Sequence, residues 1–502
     1  MALLDTIKHR GKAKQHRPWP RAAVTDDGWQ QAIEHLAAGR CTLLGLWGDA
    51  PSVHMALLAG NFSDVAVLSY VCKDSTYPSV AARHPPAIRL ERAIRDLFGL
   101  EAVGAPDTRG WLDLGFWSVR RPLGKTTPSR KATPYEFLPA EGEGLHQIAV
   151  GPVHAGIIEP GHFRFTANGE YVVRLEQRLG YVHKGIEKLC AGASLDGAAK
   201  LAGRTSGDST VAYAFAFAQA AEAALQVTVP PRAIYLRALM AEIERIANHL
   251  GDIGAICNDA SFAIMHAQCG ILRERTLRAA QACFGHRLMM DVIVPGGVAR
   301  DIAPGGKAEL ETLLAEIHRV FPRLIELYDN TASLQDRTIT TGIVKPQYAR
   351  QFGAGGFVGR ASGRAFDARR TPGYAPYTDL KFEVPVLTAG DVDARVWIRI
   401  REVEQSVALI DQILKRLPGG RFKTPIGSKG KACEGLGLVE AFRGDVLIWL
   451  RLDGKGRIER CHLRDASWFQ WPLLETAVEN NIVADFPLCN KSFNCSYSGH
   501  DL

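Results

Sequence analysis

The chain has 502 residues, with 60 Lys and Arg against 53 Asp and Glu, a net charge of +7, and 46% hydrophobic residues. That ordinary globular composition excludes a disordered, collagen-like or coiled-coil protein, and the length suits about two to four domains with a sizeable core. The positive excess is too weak and too spread out to argue for nucleic acid.

No run of about 18 uncharged apolar residues is present to span a membrane. The start, MALLDTIKHRGKAKQHRPWPR, is basic and lacks the apolar core of a secretory signal. Ten cysteines are scattered with none in a C-x-x-C pair. They point to reduced thiols in a cytosolic compartment rather than a self-contained zinc or iron–sulfur site.

Residues 1–118 are predicted to form a small α/β unit. Residues 65–71 are a β-branched apolar run, read as a strand. Residues 90–100 read as a helix, because Ile94, Leu97 and Phe98 recur at helical spacing and Gly99 stops it. Residues 119–146 carry prolines, few large apolar residues and the cations Arg120, Arg121, Lys125, Arg130 and Lys131. They read as a basic linker arm, either a solvated tether or an arm that wraps a partner subunit.

Residues 147–502 read as a mostly helical domain. It opens with a hairpin: Phe163 and Phe165 alternate, Asn168-Gly169 turns, and Tyr171 and Val173 alternate again. Residues 211–227 contain Gln219 and Glu222 and read as a buried helix. Leu236, Leu239, Met240, Ile243, Ala247 and Leu250 form one apolar stripe at steps of three and four. Leu310, Leu313, Leu314 and Ile317 form another, which Pro322 is expected to kink or end. Residues 396–417 make a third helix, closed by Pro418-Gly419-Gly420, and residues 446–452 and 457–463 a late hairpin turning at Asp453-Gly454. The expected fold class is α+β: a small N-terminal α/β domain, then a mainly α-helical bundle domain with flanking β-hairpins.

Four polar clusters are candidates for chemistry. GPVHAGIIEPGHFRF (151–165) places His154, Glu159, His162 and Arg164 on a Gly/Pro-rich loop, where His and Glu can pass protons near neutral pH. The bland reading is a loop whose histidines satisfy its own backbone. GRTSGDST (203–210) precedes the apolar helix; Asp208 and Ser209 suit N-caps, or Arg204, Ser206 and Asp208 line a pocket there. GRASGRAFDARR (359–370) holds Asp367 among arginines and reads as salt-bridged surface or an anion site. The end, FPLCNKSFNCSYSGHDL, is either a loose tail or, given Phe486, Leu488, Phe493 and Tyr497, a packed one.

Several segments together resemble a known family. GPVHAGIIEPGHFRF, YVHKGIEK (181–188), LRALMAEIERIANHLGDIG (236–254) and RASGRAFDARR (360–370) are similar to the large subunit of group 4 nickel–iron hydrogenases of the formate hydrogenlyase type. They are also similar to the homologous forty-nine-kilodalton-type subunit of respiratory complex I. Residues 77–100, with Glu91, Arg92, Asp96, Leu97, Phe98 and Gly99, resemble the thirty-kilodalton-type complex I subunit.

The resemblance implies a peripheral-arm subunit of a membrane-bound oxidoreductase, on the cytoplasmic side of the inner membrane. Its implied partners are an iron–sulfur small subunit and antiporter-like and other membrane subunits, with no nucleic acid. The hydrogenase thiolates fall at Ser206, Ser209, Ser496 and Gly499, so no nickel–iron centre and no hydrogenase activity are expected. No cofactor is expected in this chain; an iron–sulfur cluster is expected in the small subunit, and a quinone is a candidate substrate. The quinone-holding His and Tyr of complex I fall at Ile158 and Gly207, with His154 and Tyr213 nearby. The resemblance implies site residues His154, Glu159, His162, Arg204, Asp208 and Asp367, with Glu159 and Asp208 close together. The alternative is a structural bridging subunit with a collapsed site.

Overall fold

A computed structural model defines residue 13 and residues 15–155, 158–427 and 430–502. Most of the basic start, and Gly156 and Ile157 of the first polar loop, lie outside these residues.

The first unit contains strands β1 (His16–Arg17) and β2 (Arg21–Val24), helix α1 (Asp26–Ala37), strands β3 (Cys41–Asp49), β4 (Ser52–Ala59) and β5 (Val65–Val71), and helix α2 (Ile88–Phe98). The sheet order is β2-β5-β4-β3, with β2 parallel to β5. Trp29 and Ile33 of α1 and Leu90, Ile94 and Phe98 of α2 share one buried core with the sheet. Helix α2 starts at Ile88, two residues before the expected residue, and stops where Gly99 adopts φ 73°, a left-handed cap that glycine allows.

The second unit opens with β6 (Leu145–Val150), β7 (His162–Asn168) and β8 (Tyr171–Arg178), an antiparallel sheet in that order. The β7–β8 hairpin turns at Asn168-Gly169 as expected, with Gly169 at φ 57°. Helices α3 (Leu195–Gly203), α4 (Thr210–Leu225), α5 (Pro231–Asp259), α6 (Ala263–Phe284), α7 (Gly306–Asp329), α8 (Gly356–Ala361) and α9 (Val392–Arg416) follow. Strands β9 (Cys433–Ala441), β10 (Gly444–Leu452) and β11 (Ile458–Arg464) and helices α10 (Ser467–Ala477), α11 (Phe486–Phe493) and α12 (Tyr497–Asp501) complete it. The architecture is the expected α+β one.

Strand β9 has no counterpart among the elements expected from the sequence, and its glycines explain how it packs. A Cβ at Gly435 or Gly437 would collide with the carbonyl oxygens of Ala220 and Ala216. Two glycines on the strand and an alanine-rich helix let α4 lie directly on β9. Helix α4 is buried along nearly its whole length, as the pattern of residues 211–227 predicts.

Three expectations need correction. Pro322 does not end α7, which runs on to Asp329; proline removes one amide bond and crowds the carbonyl a turn earlier, and burial of Ile317, Phe321, Leu324 and Tyr328 offsets that cost. The arm at 119–146 lies on its own chain: the Leu138 amide donates to Glu176 at 2.8 Å and Arg174 donates to the Pro139 carbonyl at 2.8 Å. The first unit is also not self-contained. Its strand β1 pairs in parallel with β9, and Phe163, Phe165 and Phe486 join the core of α1 and α2.

The C-terminal segment is packed. Phe486, Leu488, Phe493 and Tyr497 are all buried, each contributing roughly 1.5–3 kcal/mol if fully withdrawn from water.

Candidate functional site

The site forms where three segments meet: the loop before α4, the turn between β9 and β10, and the start of α12. Ser206, Ser209 and Ser496 are all buried. The Ser206 and Ser496 hydroxyls lie 3.2 Å apart, and Ser496 caps α12 by accepting the Gly499 amide at 2.9 Å. The positions at which the family resemblance places four thiolates therefore converge on one locus.

A guanidinium fills that locus. Arg443, in the turn between two apolar strands, donates to both oxygens of Asp208, at 2.9 and 2.5 Å. It also donates to the Ser209 hydroxyl at 3.2 Å and to the Asn494 carbonyl at 2.5 Å. Ser206 donates to Asp208 at 2.6 Å. Such a bidentate pair fixes both partners in orientation. Burial alone would raise the Asp208 carboxyl; the Arg443 charge beside it overcomes this and holds it below its usual range.

Asp208 does not cap α4. Glu244 of α5 does so, accepting the Val211 amide at 2.7 Å and the Ala212 amide at 3.2 Å. Asn248, one turn further, donates to the Asp208 carbonyl at 2.8 Å. Burial pushes the Glu244 carboxyl up from 4.5 to about 8, against the lowering effect of those amides. The folded chain keeps a proton there that the unfolded chain releases above pH 4.5, so stability falls as pH rises from 4.5 towards 8. Glu244→Gln is expected to flatten that fall in melting temperature across the window; an unchanged pH profile would contradict the assignment.

The remaining predicted residues divide. Glu159 is exposed and its carboxylate accepts the Ser498 amide in α12 at 3.1 Å; none of its described bonds reaches Asp208. His154 and His162 hold their own loop, at 2.6 Å from the Gly161 carbonyl and 3.2 Å from the Gly151 carbonyl. Arg204 does not meet Asp208: both its terminal nitrogens lie 2.6 Å from Asp291. The charge that steadies Asp208 is Arg443. Tyr213 is buried and donates to Asp465 at 2.8 Å.

Asp367 stands elsewhere, in a buried ionic network between α5, α8, α9 and β9. Arg369 joins Asp367 (2.7 Å) to Glu242 (3.0 Å), and Arg360 joins Glu402 (2.7 Å) to Glu440 (2.8 Å). The 359–370 segment is thus largely interior rather than salt-bridged surface: internal carboxylates take up Arg360 and Arg369, Arg364 donates to the Ala354 carbonyl at 2.9 Å, and Arg370 stays exposed.

Sequence reasoning missed Arg443 and Glu244. Arg443 interrupts an apolar strand pair at its turn, and Glu244 flanks the α5 stripe, one turn after Met240, where charge normally means solvent. The signal for Glu244 was that α5 lies inside the bundle, so both its faces are buried.

The donor set does not fit a nickel–iron centre. Three serines, a glycine and a guanidinium offer no soft thiolate. Cys495, the adjacent thiol, faces Gln470 at 3.9 Å and is pushed by burial well above its usual range. Among the described residues no three of His, Cys, Asp and Glu gather as a metal-ligand set.

Comparison with known proteins places the chain in a family. Residues 260–428 match the family "Respiratory-chain NADH dehydrogenase, 49 Kd subunit", and residues 22–134 match the corresponding "30 Kd subunit" family. Formate hydrogenlyase subunit 5 of Escherichia coli K12 is 32% identical over 85% of this chain and 77% of its own length. The carbon monoxide-induced hydrogenase of Rhodospirillum rubrum is 30% identical over 70% of this chain and 97% of its own. A chain of the membrane-bound sulfane sulfur reductase, an archaeal respiratory membrane complex, superposes with a TM-score of 0.68 at 25% identity, covering 72% of this chain and 99% of that one.

Proposed function

Since the chain belongs to the family of complex I thirty- and forty-nine-kilodalton subunits and their membrane-bound hydrogenase relatives, we propose that it is the peripheral-arm subunit of a complex I-like oxidoreductase. It couples electron transfer to a membrane arm without a nickel–iron centre of its own. No helix among the described residues is long and apolar enough to cross a membrane, so membrane attachment runs through partners. Those partners are an iron–sulfur small subunit and antiporter-like membrane subunits, met on the cytoplasmic side.

The observation that carries this reading is the Asp208–Arg443 pair standing among Ser206, Ser209 and Ser496. It replaces a redox metal with a fixed charge and hydroxyl donors. A guanidinium and two hydroxyls suit the oxygens of a polar acceptor such as a quinone, stabilising the negative charge that reduction creates. Asp208 keeps Arg443 oriented, and Glu159 lies on the neighbouring segment as a proton carrier. A polar cavity of about 280 Å³, lined by Asp208, Asn248, Asp252 and Asn494, lies beside the pair and gives an acceptor room next to Asp208.

The test is fractionation. The chain should sediment with membranes and be released by an alkaline wash without detergent. A chain that never sediments, or that resists the wash, contradicts the reading.

A further inference from the structure

A cavity of about 400 Å³ lies between the two units, apart from the Asp208 site. Ile94 and Phe98 of α2, Trp117, Leu123, Leu189 and Leu502 form its walls. The walls are firm. The Trp117 and His183 rings stack at 4.8 Å with planes 21° apart, and His183 donates to the Asp501 carbonyl at 2.7 Å.

The apolar lining continues outward over the mouth. Leu189 is 55% exposed and Phe116, beside Trp117, is 77% exposed. Large exposed apolar residues grouped at a cavity mouth mark a surface that another molecule covers. The rim is cationic. Lys184 and Lys188 line it, and neither has an ion-pair partner among the described residues. The carboxylates nearby are already engaged: Glu187 by Arg460 at 2.9 Å and His462 at 2.7 Å, Asp501 by the Gly180 and Val182 amides, and Glu159, whose charge acts on Lys184, by the Ser498 amide. Burial holds the Lys184 ammonium below its ordinary value, which an incoming carboxylate would relieve.

We propose that this cavity receives an apolar segment flanked by acidic residues from another subunit of the same assembly. The exposed Leu189 and the Lys184 and Lys188 cations line one cavity, which suits an apolar segment with carboxylates beside it. Docking here bears on the Asp208 site. The Lys184 ammonium donates to the Thr205 carbonyl at 2.9 Å, next to Ser206, and the Lys184 amide donates to the Leu502 carbonyl at 3.2 Å, next to α12.

The inference rests on the multi-subunit reading above, and one experiment separates the two. The tagged chain is purified from detergent-solubilised membranes as wild type, as Leu189→Asp, and with a photo-crosslinking residue at Leu189. The crosslink should join one other subunit, at an apolar segment with Asp or Glu beside it. Leu189→Asp should lower that subunit's recovery about tenfold or more, with the melting temperature of the purified chain unchanged. Lys184→Glu with Lys188→Glu should do the same. A crosslink to lipid or to a second copy of the chain overturns the inference, as does undiminished recovery with Leu189→Asp, while wild-type co-purification leaves the multi-subunit reading standing. A wild-type chain that co-purifies with nothing overturns both.

Discussion

Asp208→Asn is expected to lower turnover of the assembled complex about a hundredfold or more while leaving assembly intact. The change keeps size and removes charge. Arg443 then loses the carboxylate that fixes its guanidinium among Ser206, Ser209 and Ser496. Assembly survives because Asp465 and Asp252 still act on the guanidinium and Asn494 still accepts from it. Rates per assembled complex, with subunit stoichiometry checked alongside, decide it. Full turnover with intact assembly would favour a purely structural, bridging subunit.

Arg360→Met is expected to be the most damaging single change to stability. Arg360 is fully buried and lies 2.7 Å from Glu402 and 2.8 Å from Glu440, with Asp367 at 3.6 Å. Its removal leaves carboxylates in the interior without their cation, a loss of about 3–5 kcal/mol. The loss depends on pH with a definite sign. Burial, and then the neighbouring Asp367, push the Glu440 carboxyl up to about 7, and Arg360 opposes them. Without Arg360 the carboxyl rises further; both folded chains keep the proton up to about pH 7, where wild type begins to release it and the variant does not, so the deficit grows as pH rises above about 7. Chemical denaturation at several pH values measures it. Glu440→Gln in the Arg360→Met background should recover part of the loss. A variant as stable as wild type would show that the network contributes nothing net.

Much of the fold was legible because its elements are periodic. The β5 strand, the β7–β8 hairpin and helices α4, α5 and α9 all carry their pattern locally in apolar spacing or turn chemistry. Strand β9 was not legible, because its two glycines are explained only by the close approach of α4, a partner far away in sequence. Pro322 does not end α7, because the apolar residues on either side of it, Leu313 and Ile317 before and Phe321 and Leu324 around it, are buried in the bundle core.

At the site, the loop segments were legible as clusters, and the resemblance placed Ser206, Ser209, Ser496 and Gly499 at one locus. The ionic pairings were not. Arg204 and Arg443 are equally arginine in the sequence; only the fold sends the first to Asp291 and the second to Asp208. The 359–370 arginines read as surface because charge density normally means solvent, whereas carboxylates from α5, α9 and β9 meet Arg360 and Arg369 inside and Arg370 alone of the four stays exposed.

The central claim is a complex I-like subunit whose metal locus has become an ion pair. Purification of the tagged chain from detergent-solubilised membranes, with identification of its companions and elemental analysis of the product, tests it most directly. The account predicts an iron–sulfur subunit and membrane subunits in fixed ratio to this chain, with iron present and no stoichiometric nickel. Nickel at about one atom per chain, or a chain recovered alone, would contradict it.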